Sequence, residues 1–170
     1  MDRAELRSLQ QPLKKRYREE PGAALVTLSA TATLGEGITC SVRAGRAIAA
    51  AGLHRASGGD GSTLCSGDML LEALAACAGV TLRAVATSLE IVIAQGFVHA
   101  EGDLDFRGTL GVDRDVPVGF RSIRLRFDLE TDVSDDQLDT LLELTERYCV
   151  VYQTLASAPQ LSASWNRVAR

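Results

Sequence analysis

The spacing of apolar residues changes period several times along the chain, and each change marks an element. Leu6, Leu9 and Leu13 stand among charges over residues 2–19, predicting a short amphipathic helix that Pro21-Gly22 ends. The stretch Leu25 to Thr33 is β-branched and alternating, which predicts a strand. Gly35-Glu-Gly37 supplies a tight turn, and Ile38 to Val42 returns as the hairpin partner. Ala47 to Leu53 fits a third short strand, although its alanines also suit a helix, and residues 57–62 form a glycine-rich loop. The period then becomes helical: residues 70, 74, 77, 78, 81, 82 and 85 are apolar or small, Ser66 stands as N-cap and Asp68 in the first turn. So apolar a circumference predicts a central, buried helix. Strands resume over 97–108 and 121–130, joined by a long loop from Gly108 to Gly119. Ile123, Leu125, Phe127 and Leu129 share one face of the second. A helix capped by Ser134 runs to Tyr148, Cys149 to Leu155 begins another turn or short helix, and Pro159 to Trp165 alternates as a closing strand. The order α-βββ-α-ββ-α-α-β predicts an α+β fold, antiparallel sheets packed on a central buried helix.

Composition narrows the function. A chain of 170 residues with 46% hydrophobic and 24% charged residues predicts one soluble domain over residues 23–170, preceded by a helical extension over 1–22. The net charge of −4 argues against a nucleic-acid partner. The one basic cluster, Lys14-Lys-Arg-Tyr-Arg18, runs straight into Glu19-Glu20 and predicts a solvated helix face. Charges at the N-terminus leave no secretory signal, and Glu72, Arg83 and Glu90 interrupt the long helix, so a membrane span is not expected. The expected location is the cytoplasm, where a cysteine pair is more readily transient and catalytic than a structural staple.

Of the four cysteines, Cys77 lies in the most apolar helical stretch, about three turns in, where the helix dipole does little for a thiolate. A reactive Cys77 therefore needs a cation or hydrogen-bond donor beside it; without one it is an inert core residue. Cys149 sits at a helix junction between Tyr148 and Tyr152, aromatic residues suited to walling a small lipophilic site. Cys65 enters the long helix, where a thiol pKa is depressed, and rivals Cys149 as a partner for Cys77; Cys40, on a strand, reads as packing. His54 and His99 are the only histidines, and no Cys or His pair has zinc-ligand spacing, so no metal is expected. Gly58-Gly-Asp-Gly61 lacks the strand, helix and lysine of a phosphate loop, and no other cofactor motif stands out. A Cys77–His54 hydrolase dyad has no local support.

The segment SGDMLLEALAACAGVTLRAVA around Cys77 is similar to the core helix of the OsmC/Ohr proteins, and ERYCVVYQTL around Cys149 resembles that family's second cysteine motif. The order of elements matches too, over roughly residues 25 to 165. The resemblance implies an intertwined homodimer with active sites at the subunit interface, and thiol peroxidase chemistry on hydroperoxides, organic ones preferred. It implies Cys77 as the thiolate that becomes a sulfenic acid, Cys149 as the resolving thiol that closes a disulfide, and an external dithiol as reductant. The chain departs from the pattern at three places. Gly67 stands at the family's glutamate, with Asp68 beside it; no arginine follows the first strand, leaving Arg43 or Arg46 as the nearest cations; and Val150 replaces the proline after the second cysteine. Peroxidase activity is the expectation, through Cys77 and Cys149 with Asp68, Arg43, Arg46 and Tyr148 as supporting candidates. The alternative is a non-catalytic dimer binding a small lipophilic molecule.

Overall fold

Helix α2 (Ser66–Leu89) is the axis on which the other elements pack in the computed structural model, which describes residues 2–25, 27, 31–34, 39–44 and 47–168. Leu74, Ala78, Leu82 and Ala86 repeat at intervals of four and form its buried stripe. By length and composition this helix is apolar enough to cross a bilayer, despite Glu72 and Arg83. Its stripe instead joins Ile91, Ile93 and Leu141 in the core, with Phe127 and Leu129 packed against them. Other apolar positions of α2 are open within the single chain; Val80 is 73% exposed.

The N-cap of α2 is Cys65 rather than the expected Ser66, and its side chain makes no capping bond. The physical reason lies in the preceding pair, Leu64–Cys65 (β4), which is extended because it hydrogen-bonds in parallel to the end of β3 (Ala47–Gly52). β3 is the expected third strand, not a helix, and pairs antiparallel with β2 (Thr39–Ala44), which pairs in turn with β1 (Thr31–Leu34). Of the strand expected over Leu25 to Thr33, Thr31 to Thr33 lie in β1 and Leu25 and Thr27 are irregular, while residues 26 and 28–30 and the turn at 35–37 lie outside the described residues.

A second sheet pairs β5 (Gln95–Leu104) with β6 (Phe120–Glu130), antiparallel from Gln95 opposite Glu130 to Gly102 opposite Ile123. Alternation divides its two faces. Ile123, Leu125, Phe127 and Leu129 are half-buried, while Asp103 faces Arg124 and His99 Nε2 lies 3.0 Å from Asp128 on the exposed side. Gly102 is required there, because a Cβ would fall 2.5 Å from the Phe120 ring. The strand expected to run on to residue 108 ends at Leu104, and the loop expected from Gly108 begins inside a short helix, α3 (Phe106–Thr109), capped by Asp105.

Helix α4 (Asp135–Tyr148) starts at the expected Ser134 cap, where Gln137 Oε1 accepts from the Ser134 N–H at 3.3 Å. It ends at Cys149, whose extended backbone (φ −74°, ψ 109°) is at once the C-cap of α4 and the N-cap of α5 (Val150–Ala156). The closing strand expected over Pro159 to Trp165 is not formed: the segment is irregular, with Leu161 86% and Trp165 83% exposed. A strand needs a hydrogen-bonded neighbour, and no described strand of the chain pairs with it. The observed order is therefore α-ββββ-α-β-α-β-α-α. At the other end, α1 (Arg3–Glu19) is closed by an Asp2–Glu5 capping box and lies against α2, where Arg3 pairs with Glu90 at 2.8 Å.

Candidate functional site: two thiols at a helix junction

The break between α4 and α5 sets Cys149 against the middle of α2, within hydrogen-bonding reach of Cys77. Cys149 has no exposed surface, and Cys77 is half-buried. Because Cys149 is extended, α5 begins immediately after it, and its first backbone N–H groups have no intrahelical acceptor. They turn to sulfur. Burial pushes the Cys77 thiol pKa up, but this is outweighed by the Val151 N–H, the Cys149 thiol, the Val150 N–H and the Thr81 hydroxyl, all donating to its sulfur, and the net direction is down. Cys149 moves the opposite way. Burial raises its pKa first, and hydrogen bonding to Cys77 and the Cys77 charge raise it further, against the Tyr152 and Val151 N–H groups. The two thiols are thus displaced in opposite directions, Cys77 toward the thiolate and Cys149 toward the protonated form.

Thr81, one helical turn after Cys77, completes this environment, and neither it nor the α5 amides stood out in the sequence. The signal was present only as the short helix expected after Cys149. Burial, then the Glu146 charge and hydrogen bonding with it, push the Tyr152 pKa up.

The other candidates lie elsewhere. Cys65 is twelve residues before Cys77 on the same helix, about 18 Å along its axis at the standard rise, far beyond the reach of a disulfide within the chain. Within the chain it is Cys149, not its rival Cys65, that lies beside Cys77. Asp68, nine residues before Cys77, is about 14 Å away along the helix and borders a surface hollow with Glu72, His99 and Glu101. His54 caps the 3-10 turn Arg55–Ser57, with Nδ1 accepting from the Ala56 N–H at 3.0 Å and its ring stacked 5.0 Å from Phe106. His54 is not among the groups that act on the Cys77 thiol. Arg43 lies on β2 opposite Thr31 and Ile48, its side chain outside the described residues, as are Cys40's side chain and all of Arg46. Tyr148 is exposed, with the Arg147 guanidinium 5.7 Å from its ring centre. With Thr81 it borders a cleft of about 650 Å³ between α1, α2 and α4.

Val150 offers a clean test of the amide donors. It is the first residue of α5, a position proline tolerates, and Cys149 before it already has the extended backbone proline demands. Val150→Pro is therefore expected to remove one donor to Cys77 and leave the helix in place. The Cys77 pKa should rise, because the thiolate loses one hydrogen bond. The pH dependence of Cys77 alkylation, followed by mass spectrometry, checks this.

The family model described as OsmC-like protein matches residues 59–164. Among solved structures, the OsmC like protein from Mycoplasma pneumoniae is 18% identical with a TM-score of 0.67, over 78% of this chain and 89% of that one. An organic hydroperoxide resistance protein from Elizabethkingia anophelis is 17% identical with a TM-score of 0.65, over 79% and 91%. An organic hydroperoxide resistance protein OsmC from Legionella pneumophila is 20% identical with a TM-score of 0.62, over 79% and 92%. At these identities the likeness to solved structures is one of fold. A search of curated protein sequences matched none.

Proposed function

The chain belongs to the OsmC-like family, and from that premise we propose that it is a thiol-dependent peroxidase that reduces organic hydroperoxides with Cys77 and Cys149. The observation that carries this reading is the placement of buried Cys149, at the start of α5, beside Cys77, and the opposite directions in which the two thiol pKa values move accord with it. The Cys77 thiolate attacks the terminal oxygen of the hydroperoxide and the O–O bond breaks, leaving a sulfenic acid and an alkoxide. The alkoxide takes the Cys149 proton and departs as the alcohol. The new Cys149 thiolate attacks the Cys77 sulfur, expelling hydroxide, which takes up the proton released when Cys77 ionised. Two thiols and a hydroperoxide thus become a disulfide, an alcohol and water. An external dithiol restores the thiols by exchange.

The working form in this proposal is a homodimer. Val80 of α2, Phe97 of β5 and the tail residues Leu161 and Trp165 are exposed apolar groups that a second copy would cover. A cytoplasmic setting, where the thiols are kept reduced, suits the cycle.

The test counts thiols. Reduced protein treated with cumene hydroperoxide is expected to lose two thiols per chain, faster than free cysteine does. Cys149→Ser is expected to lose one, stopping at a Cys77 sulfenic acid that a dimedone-type reagent traps. Thiols that persist, or oxidise no faster than free cysteine, reject the peroxidase and leave the ligand-binding alternative.

A further inference from the structure

The helical extension α1 lies outside the residues that match the family model. It carries six basic residues against two acidic, in a chain whose net charge is −4. Three of the six are neutralised: Arg3 by Glu90, Lys15 by Glu19 and Arg16 by Glu20. The other three, Arg7, Lys14 and Arg18, make no ion pair among the described residues. They are not scattered. Steps of seven and four residues set them on one flank of the helix, and all three line one hollow of about 410 Å³ between α1 and the end of α2.

The rest of the lining suits an anion. Gln10 and Gln11 bring side-chain amides, Ser88 of α2 brings a hydroxyl, and no acidic residue borders the hollow among those described. Arg18 is already set in place: its Nε donates to the Lys14 carbonyl at 3.1 Å, which folds the side chain back one turn beside Lys14. Its two terminal nitrogens keep no protein partner among the described residues, and such a fork grips a phosphate through two oxygens. From Arg7 to Arg18 is about 16 Å along the helix axis. A single phosphate reaches one or two of the cations, whereas a chain of phosphates meets all three. No aromatic ring lines the hollow, so a nucleobase has nothing to stack on there.

Larger polyanionic surfaces fit less well. Leu6 and Gln10 are the half-buried residues of α1, which turns the opposite row of Ser8, Pro12, Lys15 and Glu19 outward. That row offers a bilayer no apolar side chain larger than proline to bury. A nucleic acid would run past the hollow over a chain that is acidic as a whole.

We propose that the hollow between α1 and α2 binds a short linear oligophosphate, recognised through its phosphates alone. Arg7, Lys14 and Arg18 neutralise the phosphate groups, and Gln10, Gln11 and Ser88 donate to the oxygens between them. The site stands apart from the thiols and needs no reaction at them.

The test titrates the reduced full-length protein calorimetrically, at low salt, with orthophosphate, tripolyphosphate and ATP. Tripolyphosphate is expected to bind at least tenfold more tightly than orthophosphate, and ATP no more tightly than tripolyphosphate. Arg7→Gln/Lys14→Gln/Arg18→Gln is expected to lower tripolyphosphate affinity at least tenfold while favouring the helix, glutamine being a good helix former. Ser88→Glu leaves α1 unaltered and puts a negative charge into the hollow; it is expected to weaken binding as well, and it carries the test alone if circular dichroism shows the triple variant to have lost helix. No binding of tripolyphosphate, orthophosphate bound as tightly, ATP bound more tightly, or variants that bind as the parent does would each overturn the proposal. Phosphatidic acid vesicles or a polyuridylate strand bound in place of tripolyphosphate would overturn it equally, and would reassign α1 to a membrane or a nucleic acid.

Discussion

Cys77→Ser is expected to abolish hydroperoxide consumption while leaving the fold in place. Cys77 is half-buried and the exchange of sulfur for oxygen is nearly isosteric, so no cavity opens. What disappears is the ionisable nucleophile. The donors from Val151, Val150, Cys149 and Thr81 stabilise an anion, and a serine hydroxyl stays protonated at any pH the protein survives. Cys149 does not take over, because burial holds its pKa up and it has no exposed surface. The pH profile carries the sign. In the parent protein the rate of peroxide reduction should rise with pH as Cys77 ionises and level off below the ordinary thiol range, because its pKa is depressed. Free cysteine continues to rise through that range. Cys77→Ser should stay at background throughout. A parent profile that tracks free cysteine, or a serine variant that still turns over, would refute the assignment. Stopped-flow peroxide consumption across the pH series measures both.

The largest expected effect on stability is at Leu141, in the middle of α4. Its side chain has no exposed surface and packs with Leu82, Ala86, Ile91 and Ile93. Leu141→Ala removes buried methyl groups and leaves a cavity that helices held on two sides cannot close, at a cost of about 3–4 kcal/mol. For a chain of this length that corresponds to a fall in Tm of roughly 10 °C, measured at one fixed protein concentration because association would shift it. Leu141 also accepts the Thr145 hydroxyl at 2.7 Å on the turn leading to Cys149. The variant keeps that carbonyl, but the lost packing under α4 should loosen the helix end that carries Cys149, and Cys149 alkylation under native conditions should speed up. A drop of less than 1 kcal/mol would mean that α4 relaxes onto α2 and that the packing described here tolerates the gap.

The site was half legible in the sequence. The cysteine motifs were visible, and with them the helices that carry Cys77 and Cys149. The search for an activating side chain went to Asp68, Arg43 and Arg46, because a cation or carboxylate can be named from a sequence and a backbone amide cannot. The donors to Cys77 are main-chain groups of Val150 and Val151, together with Thr81. Val150 stands at the position where the resembling family has proline. It supplies an N–H that proline lacks.

The fold divides the same way. Period and caps determined α1, α2, α4, β5 and β6, because an amphipathic element carries its own record of which face is covered. The tail from Pro159 to Trp165 alternates as a strand does, yet it is irregular, because a ladder requires a partner and alternation alone does not provide one. The sequence by itself determined that two cysteines sit on two helices of an α+β protein with an acidic net charge. Only the tertiary structure decided which cysteines meet. The extended backbone of Cys149 ends one helix and starts another against the middle of α2, and that junction turns unsatisfied amides toward Cys77. Cys65, twelve residues before Cys77 at the start of the rigid rod of α2, lies too far along it for a disulfide to Cys77 within the chain.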